Sequence, residues 1–180
     1  MKTTKKITAA FMLALTLFSF NGIKAQETPK YDQGFRLGLG LNTGYANNDP
    51  YKLTLGGDVR LQYDLSKRYS FTLTTGFTSL FVSENDGQDL GFIPAKGGFK
   101  AFVWNNQFYV MGEAGAAFAV TNNYNKTSLL LAPTIGFATK YIDISVHYEH
   151  YSDFPKTLSD GTEGKGFGQF GLRLAYGFKL

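Results

Sequence analysis

The chain contains no cysteine. That excludes a disulfide framework, a thiolate metal site, a cysteine nucleophile and a lipid-modified cysteine. Charge is sparse: 18% of residues are charged, against about 25% in average soluble domains. The formal net charge of +4 is misleading. Residues 1–25 hold four of the 18 basic side chains and none of the 14 acidic ones, so the remainder carries 14 of each. A neutral remainder removes the electrostatic argument for nucleic-acid binding. Beyond residue 20 there is no apolar run near the roughly 20 residues that a membrane-spanning helix needs. What is abundant is glycine, with 21 residues, and aromatic side chains, at 16%.

The first 25 residues read as an export signal. Lys2, Lys5 and Lys6 form a basic start, and Ile7 to Phe20 is an apolar run of 14 residues. Asn21-Gly22 breaks the run, and Ala25 supplies the small residue at the expected cleavage point. Residues 26–33 form a short N-terminal segment. From Gly34 to Leu180 the pattern has a period of two, broken by polar or Gly/Asn/Asp clusters. In Leu53–Leu65, for instance, Leu53, Leu55, Val59, Leu61 and Tyr63 share one face, with Thr54, Asp58, Arg60, Gln62 and Asp64 on the other. Eight such runs are expected: Phe35–Leu41, Leu53–Leu65, Tyr69–Phe81, Ile93–Val103, Phe108–Val120, Leu129–Thr139, Ile142 to about His150, and about Gly168 to Leu180. Most approach the roughly 9–11 tilted residues that cross a bilayer as a strand. Connections alternate between tight (66–68, 104–106, 140–141) and long (46–50, 82–90, 121–127, 151–165). An antiparallel meander puts the tight turns at one end and the long loops at the other.

Three features point the apolar face at lipid. It carries no charge in any of the eight runs. The opposite face is small, with Gly38, Gly40, Gly56, Gly76, Gly98, Gly115 and Gly136 among its members. The interior of an eight-stranded barrel is only just wide enough for side chains, so small residues fit there. Aromatics gather near the run ends: Tyr63, Tyr69, Phe71, Trp104, Phe108, Tyr141 and Phe178 toward the tight turns, and Tyr45, Tyr51, Phe81, Phe92, Phe118, Tyr148 and Phe170 toward the long loops. These read as two interfacial girdles. The small face also holds Arg36, Arg60, Lys96, Lys100, Arg173 and Lys179 against Asp58, Asp64, Glu113, Asp143 and Glu149. Buried charges must be paired, so a salt-bridged, filled lumen is expected, with a narrow pore as the alternative. The fold class is thus all-β, an eight-stranded antiparallel up-and-down transmembrane β-barrel. Pro94 and Pro133 fall inside runs and read as bulges or strand ends.

The closing segment Gly171-Leu-Arg-Leu-Ala-Tyr-Gly-Phe-Lys-Leu180, with Ile93–Lys100, Phe108–Val110 and Gly112–Gly115, resembles the small eight-stranded outer-membrane barrels of the OmpA/OmpX type. The resemblance spans Gly34–Leu180. It implies a bacterial outer-membrane location, contact with outer-membrane lipid and lipopolysaccharide, insertion through the barrel machinery by the C-terminal strand, and a monomer. No peptidoglycan-binding domain is expected.

Candidate chemistry gathers in the seventh run and the connection after it. His147 and His150 are three apart on a strand, so their rings point to opposite faces and no zinc pair is expected. His150 and Ser152 share the outward face. A base beside a hydroxyl, oriented by a carboxylate such as Glu163, is the recipe for an activated serine. His150-Tyr151-Ser152 resembles the H-x-S motif of the outer-membrane lipid A deacylases, with Asp153 where that family has Asn. Glu84, Asp86 and Asp89 around Gly87 lack the ligand spacing of a calcium loop, since Val82 takes one ligand position. No cofactor or metal is expected. Three functions remain: a barrel presenting its loops to a surface ligand, with 151–165 as the longest contact, an acyl-ester hydrolase using His150 and Ser152, and a narrow pore.

Overall fold

The computed structural model describes residues 33–46, 51–82, 89–121, 126–157 and 163–180. The expected signal segment, its cleavage after Ala25, and the Glu84–Asp86 stretch lie outside these residues. The elements are β1 (Gly34–Ala46), β2 (Tyr51–Asp64), β3 (Tyr69–Val82), β4 (Leu90–Val103), one helical turn α1 (Trp104–Gln107), β5 (Phe108–Ala119), β6 (Thr127–Ala138), β7 (Ile142–Thr157) and β8 (Glu163–Lys179). Every strand pairs antiparallel with its chain neighbours, and β1 closes on β8, giving the barrel order β1 to β8 without crossover.

Period two in the sequence becomes inside and outside in space. Leu41 is 72% exposed and Leu73 64%, while Arg60, Lys100, Glu113 and Arg173 are buried. A water-soluble barrel does the reverse. An exterior dominated by Leu, Ile, Val, Phe and Tyr is solvated by lipid, because in water it would be a large apolar patch.

The tight turns are held by local hydroxyls. Ser66 Oγ accepts from the amides of Arg68 and Tyr69 at 3.2 and 3.1 Å. Thr139 Oγ1 accepts from the amides of Tyr141 and Ile142 at 3.4 and 3.0 Å. The third connection, expected as a tight turn, is the helical turn α1. It reverses the chain through positive φ at Trp104 (37°) and Asn106 (56°).

Three strands exceed their expected lengths by four residues or more. β1 continues through Asn42-Thr43-Gly44 because both neighbours pair it, up to Tyr45↔Leu53 and Ala46↔Gln169. The other two corrections matter more. β7 and β8 extend to Thr157 and back to Glu163, so most of the stretch expected as a loop, 151–165, is a two-stranded ribbon. Its pairs Pro155↔Lys165, Lys156↔Gly164 and Thr157↔Glu163 follow a register shift after Tyr151.

Pro94 and Pro133 produce neither a bulge nor a strand end. Each interrupts one ladder. The β3–β4 pairing lapses between Thr75↔Ala95 and Thr78↔Phe92, and the β6–β7 pairing between Leu131↔His150 and Thr134↔His147. Register is the same on both sides of each gap. Proline lacks the N–H that would face that neighbour, while the ladder on its other side runs unbroken through Pro94↔Ala117 and Gly112↔Pro133.

Two glycines of β5 illustrate the two faces. A Cβ on outward-facing Gly112 would meet nothing within 4 Å, whereas one on Gly115 would fall on the Ala95 carbonyl oxygen of β4. Strand glycine costs roughly 0.5–1 kcal/mol relative to alanine. Gly112→Ala should therefore raise the unfolding free energy by about 0.5 kcal/mol. Gly115→Ala should lower it by about 1–3 kcal/mol, as overpacking does. Urea titration of the two variants in vesicles measures both, and equal effects would refute the assignment of faces.

Candidate functional site

The lumen holds two layers of different chemistry. The layer toward the tight turns is ionic. Arg36 Nε donates to Asp64 at 2.7 Å, and Ser70 Oγ donates to the other oxygen of Asp64 at 2.7 Å. Lys100 Nζ lies 2.8 Å from Asp143 and 3.7 Å from the centroid of the Tyr109 ring, whose hydroxyl donates to Asp143 at 2.7 Å. Arg173 grips Asp58 with two bonds of 2.6 and 2.8 Å. At mid-height Arg60 and Thr74 meet Glu113, at 3.2 and 2.6 Å, and Lys96 lies 2.7 Å from Glu149. Tyr151 and Gln169 donate to the second oxygen of Glu149 at 2.5 and 2.6 Å. Each buried ion pair thus has at least one further hydrogen bond, the condition under which buried ions are tolerated, and Arg60 Nη1 is the one buried cationic nitrogen among the described residues without a partner. Every cation and anion of this layer was legible from strand parity.

The layer toward the long loops was not anticipated. It is apolar and aromatic: Tyr51, Leu80, Leu90, Phe92, Leu130, Tyr151, Phe154 and Phe167 form one buried cluster with small neighbours. Tyr151 stacks on Phe154 and Phe167 with centroids 5.4 and 4.9 Å away, and Phe92 sets its edge against Tyr151 and Phe154 at 5.2 and 5.5 Å. Two residues expected in the outer girdle, Tyr51 and Phe92, are plug residues instead, 5% and 0% exposed. The available signal was a change in the inward positions near the loop-side strand ends, from charged to apolar. Within the polar part of the lumen is a cavity of about 20 Å³, bordered by Asp58, Lys96, His147, Glu149 and Gln169 among others. That is room for about one water molecule.

The ribbon rises from this plug. Past Asp153 on β7 and before Gly168 on β8, the strands pair only with each other among the described residues. Asp153 anchors the base: its amide donates to Ser128 Oγ at 2.9 Å. Tyr151, Phe154 and Phe167 turn from the ribbon into the barrel mouth, so the same two strands form plug and projection.

His147 faces the lumen beside Gly171. His150 is half-buried and pairs with Leu131 and Gly168. By alternation it lies outward, between inward-facing Glu149 and Tyr151. Ser152 is half-buried at the register shift. Among the described residues, no hydrogen bond joins the His150 and Ser152 side chains. The Glu163 backbone pairs with Thr157, five strand positions beyond Ser152, roughly 16 Å along the strand at about 3.3 Å per residue. The structure therefore keeps His150 and Ser152 on one stretch of β7 and sets Glu163 near the far end of the ribbon. No cluster of three metal-ligating side chains occurs among the described residues. Asp89, from the rejected calcium pattern, accepts from the Val82 amide at 3.0 Å and closes its own loop.

Closed eight-strand topology, apolar exterior and filled lumen define the class: a small transmembrane β-barrel with the fold of the OmpA/OmpX-type outer-membrane proteins. Solved structures of the same fold confirm that class. The attachment invasion locus protein Ail of Yersinia pestis is similar at 20% identity and a TM-score of 0.55, over 81% of this chain and 99% of that one. The N-terminal β-barrel domain of Pseudomonas aeruginosa OprF is similar at 11% identity and a TM-score of 0.56, over 82% and 100%. The de novo designed protein TMB2.3 is similar at 14% identity and a TM-score of 0.51, over 82% and 97%. No protein-family model and no curated protein sequence matches the chain.

Proposed function

We propose that this protein resides in the bacterial outer membrane, surrounded by lipopolysaccharide and phospholipid, and acts as a surface-interaction protein whose contact element is the β7–β8 ribbon. The observation that carries this reading is the ribbon itself. Among the described residues, two strands continue past the mouth paired only with each other, and a strand edge offers N–H and C=O groups to an extended partner. The plug gives the ribbon a stiff base. Loops on rigid scaffolds commonly carry function, and here the scaffold extends into the presenting element. Ail, which has this fold, is an attachment protein by name.

The test uses the protein folded in lipid nanodiscs and a displayed library of extended peptides. Selected binders should lose at least tenfold in affinity for a variant in which residues 155–165 are replaced by a tight turn, while that variant still folds. Undiminished binding would remove the ribbon from the contact. The hydrolase alternative has its own readout: fatty acid released from purified lipid A, and abolished by Ser152→Ala, would replace the interaction reading.

A further inference from the structure

The two ends of the barrel carry opposite charge. On the loop side, the sequence segments at the strand ends and along the ribbon (47–52, 83–89, 120–126 and 153–165) hold seven acids against four bases, Lys52, Lys126, Lys156 and Lys165. At the tight-turn end the connections between strands contain Lys67, Arg68 and Lys140 and no acid. Among the described residues, the two carboxylate side chains nearest that end, Asp64 and Asp143, face the lumen and are held by Arg36 and Lys100. Lys67, Arg68 and Lys140 are exposed, and none has an ion-pair partner among the described residues.

Their placement is regular. The β2–β3 and β6–β7 turns lie four strands apart in a closed ring of eight, on opposite sides of the barrel. The β4–β5 turn lies midway and carries Trp104, 79% exposed. Each basic turn adjoins an exposed aromatic: Tyr69 follows Arg68, and Lys140 Nζ lies 5.1 Å from the Tyr141 ring centroid. Aromatic rings settle at the headgroup level of a bilayer. Long basic side chains beside them reach the phosphates while their methylene stems stay in the apolar layer.

We propose that the tight-turn rim is a seat for anionic phospholipid headgroups, held by Lys67, Arg68 and Lys140 between interfacial aromatic side chains. The acidic loop end repels the same headgroups. The charge asymmetry thus favours one leaflet for each end and fixes the height of the barrel in the bilayer. This surface lies at the opposite end from the ribbon and does not depend on the ribbon's role.

Trp104 is the only tryptophan in the sequence and sits on this rim, so it reports the lipids beside it. The full chain is folded into phosphatidylcholine vesicles containing brominated phosphatidylglycerol or, in parallel, brominated phosphatidylcholine, and quenching of Trp104 is titrated. At low salt the anionic lipid should occupy the rim with about fivefold preference, the size of effect one basic residue has near an anionic surface. The preference should fade as salt shortens the range of the interaction. Lys67→Gln/Arg68→Gln/Lys140→Gln should bring it to about one, whereas Lys126→Gln/Lys165→Gln at the other end should leave it unchanged. Resistance to dissociation in detergent verifies folding, and the three single substitutions replace the triple variant if it does not insert. Equal quenching by the two lipids in the unsubstituted protein would overturn the proposal. So would a preference that survives the triple substitution.

Discussion

Glu149→Ala should lower the unfolding free energy by about 3–5 kcal/mol, the cost of stranding one member of a buried ion pair. Glu149 accepts from Lys96 at 2.7 Å, Tyr151 at 2.5 Å and Gln169 at 2.6 Å. Its removal leaves an ammonium, a phenol and an amide buried with fewer partners. Lys96 retains Glu113 only at 3.7 Å, and Glu113 already serves Arg60 and Thr74. Removing both charges as Lys96→Met/Glu149→Leu should restore more than half of the loss, since the desolvated ammonium is then gone and Glu113 keeps Arg60. Reversible urea unfolding in vesicles measures both variants. A loss below 1 kcal/mol for Glu149→Ala would mean that water reaches the mid-lumen freely, and the filled-bore description would fail.

Phe92→Ala should also cost about 3–5 kcal/mol, the range for deleting a buried aromatic ring. The Phe92 ring is fully buried and sets its edge against both Tyr151 and Phe154. Edge-on aromatic pairs add about 0.5–1.5 kcal/mol beyond the area they bury. Phe92→Leu should cost less than half as much. Neither variant should conduct ions in planar bilayers, because Lys100, Asp143 and Arg173 still fill the bore below the plug. A stable conductance in Phe92→Ala that is absent from the parent would make the plug a gate. It would also revive the narrow-pore reading.

Alternation by itself determined most of this protein. A strand has a period of two, so one pass along the chain separates the apolar exterior from the small, charged interior. Pairing of chain neighbours sets the strand order, and closure adds the β1–β8 ladder. The ionic partners followed from the same parity, because a charge on the inward face of a narrow barrel must find its opposite. Strand length was not legible. Asn42-Thr43-Gly44 and Ser152-Asp153 resemble loops, yet strands continue through them because neighbouring strands satisfy their backbone groups. The tertiary structure alone decided that residues 151–165 form a ribbon rather than a loop, since a ribbon depends on pairing across a turn. It also decided that Tyr51 turns inward to seal the mouth instead of belting the exterior. Near a strand end a bulge or a shift of register moves a side chain from one face to the other. The β2–β3 register shifts between Tyr51 and Leu53, and β7–β8 shifts after Tyr151. For Phe92 parity already favoured the interior, through outward-facing Ile93. What parity could not supply was the set of partners, from β2, β7 and β8, that gives an inward aromatic something to pack against.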